Sequence, residues 1–458
     1  MLHDLIIRDP EPGPAGHVEI AIAGGQISEI NPRAGAGTRA TLNASGLQIL
    51  PGVIDAHVHF NEPGRTHWEG FATGSRAAVA GGTTTVFDMP LNSDPPLLDA
   101  AAFEAKRRAV EGISRVDFGL WGGLTPLNIE RIDELVAAGV IGFKAFMSPS
   151  GIDEFPHSDV ATLRAGMRRI VDSGSGLRLA LHAEDPAQLA APRPDLHPLS
   201  HAARPPAAEV SAIRIAAELA GETGCPITIV HVSCTEALDA VLAARAAGVD
   251  ITCETCPHYL HLNETDAERP GLLGAAARCA PPLRPEALRA ALLARRSEID
   301  TIGSDHSPCP VEMKEGAQPW GGVQSVQQLL QLALAAAGDD GAARADVLRQ
   351  LTARPAEIFG LRDKGRLEPG ADADLVLFDP QARPSLRAED LHCRHPHSPY
   401  LGRDLRGVVR RTLLRGRTVF AHETFGAPGK HGVFGDPNKA ESPWVPSAPA
   451  GRLVRREG

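Results

Sequence analysis

No uninterrupted apolar segment in this sequence is long enough to span a bilayer as a helix, so no membrane partner is expected. There is no basic stripe either. Lys and Arg number 46 against 56 Asp and Glu, a formal charge of -10. That balance argues against nucleic acid as a partner. The first residues, Met1-Leu-His-Asp-Leu-Ile-Ile7, lack the basic start and long apolar run of a secretion signal. Cysteine is scattered and odd in number, at seven. Such usage argues against a disulfide framework and for a reducing, cytoplasmic setting. Cys253-x-x-Cys256 resembles half a zinc knuckle, but no second pair follows at knuckle spacing, so both read as structural thiols. No Gly-x-Gly-x-x-Gly opens a first helix, which weighs against a doubly wound open sheet.

What is present is ordinary globular composition, 43% hydrophobic and 22% charged, over 458 residues. That length suits one large domain with a smaller one appended. From about Pro51 to Asp363, β-type and helix-type stretches alternate. The β-type stretches are Gly52 to Phe60, Thr83 to Met89, Asp117 to Leu124 and Ile141 to Met147. Leu177 to Glu184, Pro226 to Ser233, Asp250 to Cys256 and Ile299 to Asp305 complete the set. Between them, Ala-rich segments such as Glu209 to Glu222 and Glu236 to Ala247 repeat apolar residues at helical spacing. Eight such units predict a TIM (β/α)8 barrel over 51–363. Short strands also occur at both chain ends, as in Asp4 to Ile7, Gln26 to Ile30, Ala373 to Phe378 and Arg417 to Ala421. Gly24-Gly25 marks a hairpin turn. Residues 1–50 are too few to bury a good core alone. One β-sandwich assembled from 1–50 and 364–425 is therefore expected, followed by an extended tail over 426–458.

Catalytic groups of such a barrel sit at the C-terminal ends of its strands. The first strand ends in His57-Val-His59, whose imidazoles share a face because strand side chains alternate. Alone, that pair reads more readily as two surface or hydrogen-bonded histidines than as metal ligands. The other strand ends add Lys144, His182, His231 and Asp305. Six polar groups on matching ends of apolar strands are costly to bury without a shared purpose, and a metal centre supplies one. Lys144 is the unusual member. Buried beside cations, its amine loses its proton and can react with carbon dioxide, becoming an anionic carbamate ligand. Pairing of Lys144 to Asp305 or Glu184 is the alternative.

These residues resemble the amidohydrolase superfamily, in its dinuclear cyclic-amidase branch. More narrowly, the stretch from His57 to Phe71, Asp88-Met-Pro-Leu-Asn-Ser93, Gly142 to Gly151, Cys253 to His258 and Ser304 to Pro310 are similar to the allantoinase family. The resemblance runs from about residue 51 to about 420. It implies that His57, His59, Lys144, His182, His231 and Asp305 hold two divalent cations, with Lys144 carboxylated (N6-carboxylysine) and shared between them. Zinc suits these donors; cobalt, manganese and iron would bind them too. The implied reaction is hydrolysis of the cyclic amide of allantoin to allantoate, in purine (ureide) degradation, with Asp305 as catalytic proton carrier. A homotetramer is implied as well. Dihydroorotases, which the chain also resembles, carry Arg at the place of Asn61. Asn61 and Asn92 are thus expected to bind an uncharged ureide, or else to serve tight turns. Arg65 is expected to brace its loop through Glu62 or Glu69. Dihydroorotase and hydantoinase (dihydropyrimidinase) activities remain alternatives, as does a non-catalytic scaffold, although such a scaffold is expected to have lost ligands that are all present here.

Overall fold

Eight parallel strands form the centre: Val53–Val58, Thr83–Asp88, Asp117–Gly123, Gly142–Phe146, Leu179–His182, Ile227–Ile229, Ile251–Thr255 and Thr301–Ile302. The computed structural model describes residues 2–8, 18–315, 319–422 and 449–457. The strands pair side by side in chain order. The last meets the first where His59 N–H donates to the His306 carbonyl at 2.8 Å, beside a Val58–His306 bridge. The fold is the TIM barrel that the alternation predicts. Strands six and eight are shorter than expected. Their chains leave the ladder and turn through left-handed backbone at His231 (φ 44°) and Asp305 (φ 43°).

The covering helices follow from apolar spacing and caps. Pro206–Thr223 begins with Pro at its first turn, where a missing N–H costs nothing, and ends at Gly224 with φ 75°. Its buried Ala212, Ile213, Ala216 and Ala220 recur at helical spacing and face the strands. Asp159 caps Val160–Asp172 by accepting from Thr162 N–H, and Asp99 caps Ala100–Val110 in the same way.

Two four-stranded sheets make the smaller part. One is built from Leu5–Arg8, Ile20–Ala23, Gln26–Ile30 and Thr41–Asn43. The other joins Gln48–Pro51 to Leu375–Asp379, Val408–Leu414 and Arg417–Ala421, so it draws on both chain ends. Ile7, Ile20, Ile22 and Ile27 pack on Leu375, Leu377 and Leu413 between them. Thr41–Asn43 and Gln48–Pro51 carry too little β pattern to be foreseen. The chain passes from sandwich to barrel at Gly52, where a side-chain carbon would lie 2.1 Å from Thr84 Oγ1. Nearby, Lys364 Nζ binds Asp117, Asp372 and Asp374 at 2.6–2.8 Å, tying both parts together. The tail expected over 426–458 lies outside the described residues up to 448. Residues 451–454 run beside the start of the third strand, with Phe118 N–H donating to Arg452 O and Val454 N–H to Phe118 O.

Candidate active site

His57, His59, Lys144, His182, His231 and Asp305 all line one cavity of about 260 Å³ at the C-terminal end of the barrel. They form two facing groups. His57 Nε2 and His59 Nε2 lie 3.2 and 3.5 Å from Asp305 Oδ1. His182 Nδ1 lies 3.1 Å from His231 Nε2. The His57 and His231 rings, 5.7 Å apart, bring the groups together. A larger cavity of about 860 Å³, beside the edge strand Gln48–Pro51, holds none of these side chains.

Three of the four imidazoles are fixed from behind. His57 Nδ1 lies 2.7 Å from Glu254 Oε1, leaving Nε2 toward the cavity. His59 Nδ1 bonds the Leu91 carbonyl at 3.0 Å, leaving Nε2. His182 Nε2 lies 2.7 Å from Glu184 Oε2, leaving Nδ1. A carboxylate or carbonyl behind each ring is how metal-binding histidines are held in one tautomer. Burial keeps His57 and His231 well below the ordinary imidazole range, so both are neutral donors. Burial also opposes the charge on Glu184, but Arg204 and then His182 outweigh it and hold that carboxyl at about 2. Burial likewise opposes charge on Asp305, and the facing His57, His59 and His231 keep it a carboxylate.

Lys144 Nζ is fully buried and has no hydrogen-bond partner among the described residues. It is paired to neither Asp305 nor Glu184. Burial lowers its pKa to about 8, against the pull of Asp305 and Glu254. An orphaned amine amid neutral imidazole nitrogens and one carboxylate is an arrangement that divalent cations fit. His57, His59 and Asp305 could hold one, and His182 and His231 another, with Lys144 between.

Asn92 lines the cavity; Asn61 does not. Asn61 lies one layer back, 1% exposed and left-handed at φ 62°, accepting from Asn92 Nδ2 at 3.3 Å. Its left-handed backbone fits the tight-turn reading, and of the two amides only Asn92 reaches the cavity. Arg65 does not brace its loop through Glu62 or Glu69. It donates to Asn92 O at 2.9 Å and to Glu154 at 2.9 Å, because Glu62 is taken by Phe71 N–H and Glu69 by Arg394 N–H. Glu254 and Arg204 were not foreseen as site groups. The one charged residue in the strand Ile251–Thr255 is the available signal for Glu254. Arg204 lies in a loop with no periodic pattern to mark it.

Residues 48–419 match the amidohydrolase family. Allantoinase from Rubrobacter xylanophilus is 44% identical over 470 residues, covering 99% of this chain and 97% of that relative. Allantoinase from Solibacter usitatus is 45% identical over 440 residues, covering 92% and 94%. This chain belongs to the amidohydrolase family. Among solved structures, this amidohydrolase resembles L-hydantoinase (dihydropyrimidinase) from Arthrobacter aurescens, at TM-score 0.86 and 26% identity, covering 99% of this chain and 100% of that one. A D-hydantoinase structure gives TM-score 0.84 at 28% identity, covering 99% of each. It is a hydrolase of cyclic amides, and the scaffold alternative falls away.

Proposed function

We propose that this protein hydrolyses the cyclic amide of allantoin to allantoate. The observation that carries this is the near full-length likeness to allantoinases at 44–45% identity. Asn92, backed by Asn61, supports it further, since paired amides can both donate to and accept from an uncharged ureide. His57, His59, His182, His231 and Asp305 would hold two divalent cations, with Lys144 carboxylated by carbon dioxide and shared between them. Zinc fits the nitrogen and oxygen donors. When bound, two such cations supply water of lowered pKa and polarise a carbonyl.

The chain's own groups do the rest. Glu254, Leu91 O and Glu184 keep three imidazoles aimed at the cavity. Asn92 orients the ring. The water oxygen adds to the ring carbonyl carbon, and the C–N bond breaks. Asp305 takes the proton from that water and delivers it to the leaving nitrogen. The likeness to hydantoinase structures favours hydantoin or dihydropyrimidine hydrolysis as the second reading. Purified protein given allantoin, dihydroorotate and hydantoin separates them, with metal content measured on the same sample. Allantoin is expected to be consumed fastest; consumption of dihydroorotate instead would refute the role given to the Asn61–Asn92 pair. Seven free, buried cysteines support a reducing, cytoplasmic setting. A homotetramer is proposed on family likeness, to be checked by sedimentation.

A further inference from the structure

Cys256 and His258 lie beside Asp305 and have no part in the chemistry above. One donor atom from each of the three lies within 4.8 Å of the others. Cys256 and His258 are fully buried. Neither ring nitrogen of His258 has a hydrogen-bond partner among the described residues. Burying an imidazole with both nitrogens unmet is costly, so such a group calls for a ligand. The local fold holds the set together. Cys256 follows the strand Ile251–Thr255, and Pro257 starts the short helix Pro257–His261 with His258 in its first turn.

We propose that Cys256, His258 and Asp305 form a second cation site, for a thiophilic divalent ion, beside the hydrolytic centre. Sulfur, imidazole nitrogen and carboxylate oxygen are the donors zinc combines, and three protein donors leave a fourth position open. Oxygen-seeking magnesium or calcium would not use the sulfur. With neither nitrogen engaged among the described residues, His258 is free to bind an ion beside the Cys256 sulfur. Binding breaks the S–H bond, forms a sulfur–metal bond and releases the proton to solvent, with no change of oxidation state.

An ion there draws on Asp305, the group proposed to carry the proton. The site is therefore inhibitory, a consequence that rests on the function proposed above, whereas the binding itself does not. The test is a cobalt titration of metal-depleted protein in bicarbonate buffer, read by near-ultraviolet thiolate-to-cobalt charge transfer and by activity. Uptake at the hydrolytic centre carries no thiolate band. The expected result is that a band grows with a further equivalent of cobalt as activity falls. In Cys256→Ser the band should be absent, and at least tenfold more cobalt should be needed to inhibit. His258→Gln should weaken the band and serves as the second variant if Cys256→Ser does not fold. Absence of a band in the native protein overturns the site, as does a band that survives Cys256→Ser. The number of equivalents bound without a band tests the two-cation centre, so the two readings fail separately.

Discussion

Lys144 gives the sharpest quantitative expectation. Its amine is fully buried with a pKa of about 8. At pH 7 roughly one molecule in ten then carries the free amine, against roughly one in three thousand for an ordinary lysine at 10.5. Burial thus raises the amine able to attack carbon dioxide by roughly 300-fold. Metal-depleted protein should recover tight zinc binding and activity readily in bicarbonate and poorly in carbon dioxide-free buffer. The sign follows from deprotonation. At fixed dissolved carbon dioxide, the recovery rate should climb about tenfold per pH unit up to about 8 and level off above it. The assay is zinc uptake by a chromophoric chelator together with recovered allantoin hydrolysis. Lys144→Gln should recover neither. Recovery indifferent to both bicarbonate and pH would refute the carbamate, and so would native zinc affinity in Lys144→Gln.

Three further outcomes follow from groups around the site. Glu254→Gln loosens the ring of His57 and should cost about 10–100-fold in metal affinity, measured by chelator competition; unchanged affinity would show that His57 needs no support. Lys106 Nζ is buried against Asp88 at 2.5 Å and bonds Met89 O and Ser93 Oγ, while Asp88 accepts from Phe60 N–H, so it ties the loops after strands one and two. Lys106→Met strands the Asp88 carboxylate and should destabilise by about 3–5 kcal/mol, seen as a clearly lower unfolding midpoint; a midpoint within about 1 °C of native would count against the strut. Glu184 has its carboxyl lowered from 4.5 to about 2 in the fold, so its contribution is whole above about 4.5 and is lost as pH falls toward 2. That amounts to on the order of 3 kcal/mol, and acid unfolding of Glu184→Gln should be flatter than native through that window.

The barrel was legible because each strand is an apolar run bounded by turns, and because the site residues end those runs. His57, Lys144 and His182 sit on strands whose period-2 geometry fixes where side chains point. Much less could be read where the backbone leaves regular geometry. His231 and Asp305 reach the cavity through left-handed turns, which no periodicity announces. Long-range partners were equally hidden. Glu254 is 197 residues from His57, and Lys364 is 247 from Asp117. Arg65 shows the limit of local inference, since the nearby carboxylates were already engaged by backbone N–H groups.

The seam that closes the barrel is made by the same residues that build the site. Asp55 Oδ1 accepts from His57 N–H at 3.2 Å and, across the seam, from Ser304 N–H at 3.0 Å. Ser304 Oγ reaches the His57 carbonyl at 3.3 Å, and His59 N–H reaches His306 O. Strand eight has only two ladder residues, so these bonds carry the closure that a longer strand would otherwise provide. They also hold Asp305 in a left-handed conformation that a non-glycine residue adopts only when its neighbours over-determine it. Asp305 cannot relax into ordinary strand geometry without parting Ser304 from Asp55 and His306 from His59. Closure of the barrel and aim of the carboxylate are therefore one structural event, which explains why a two-residue strand suffices where the proposed proton carrier stands.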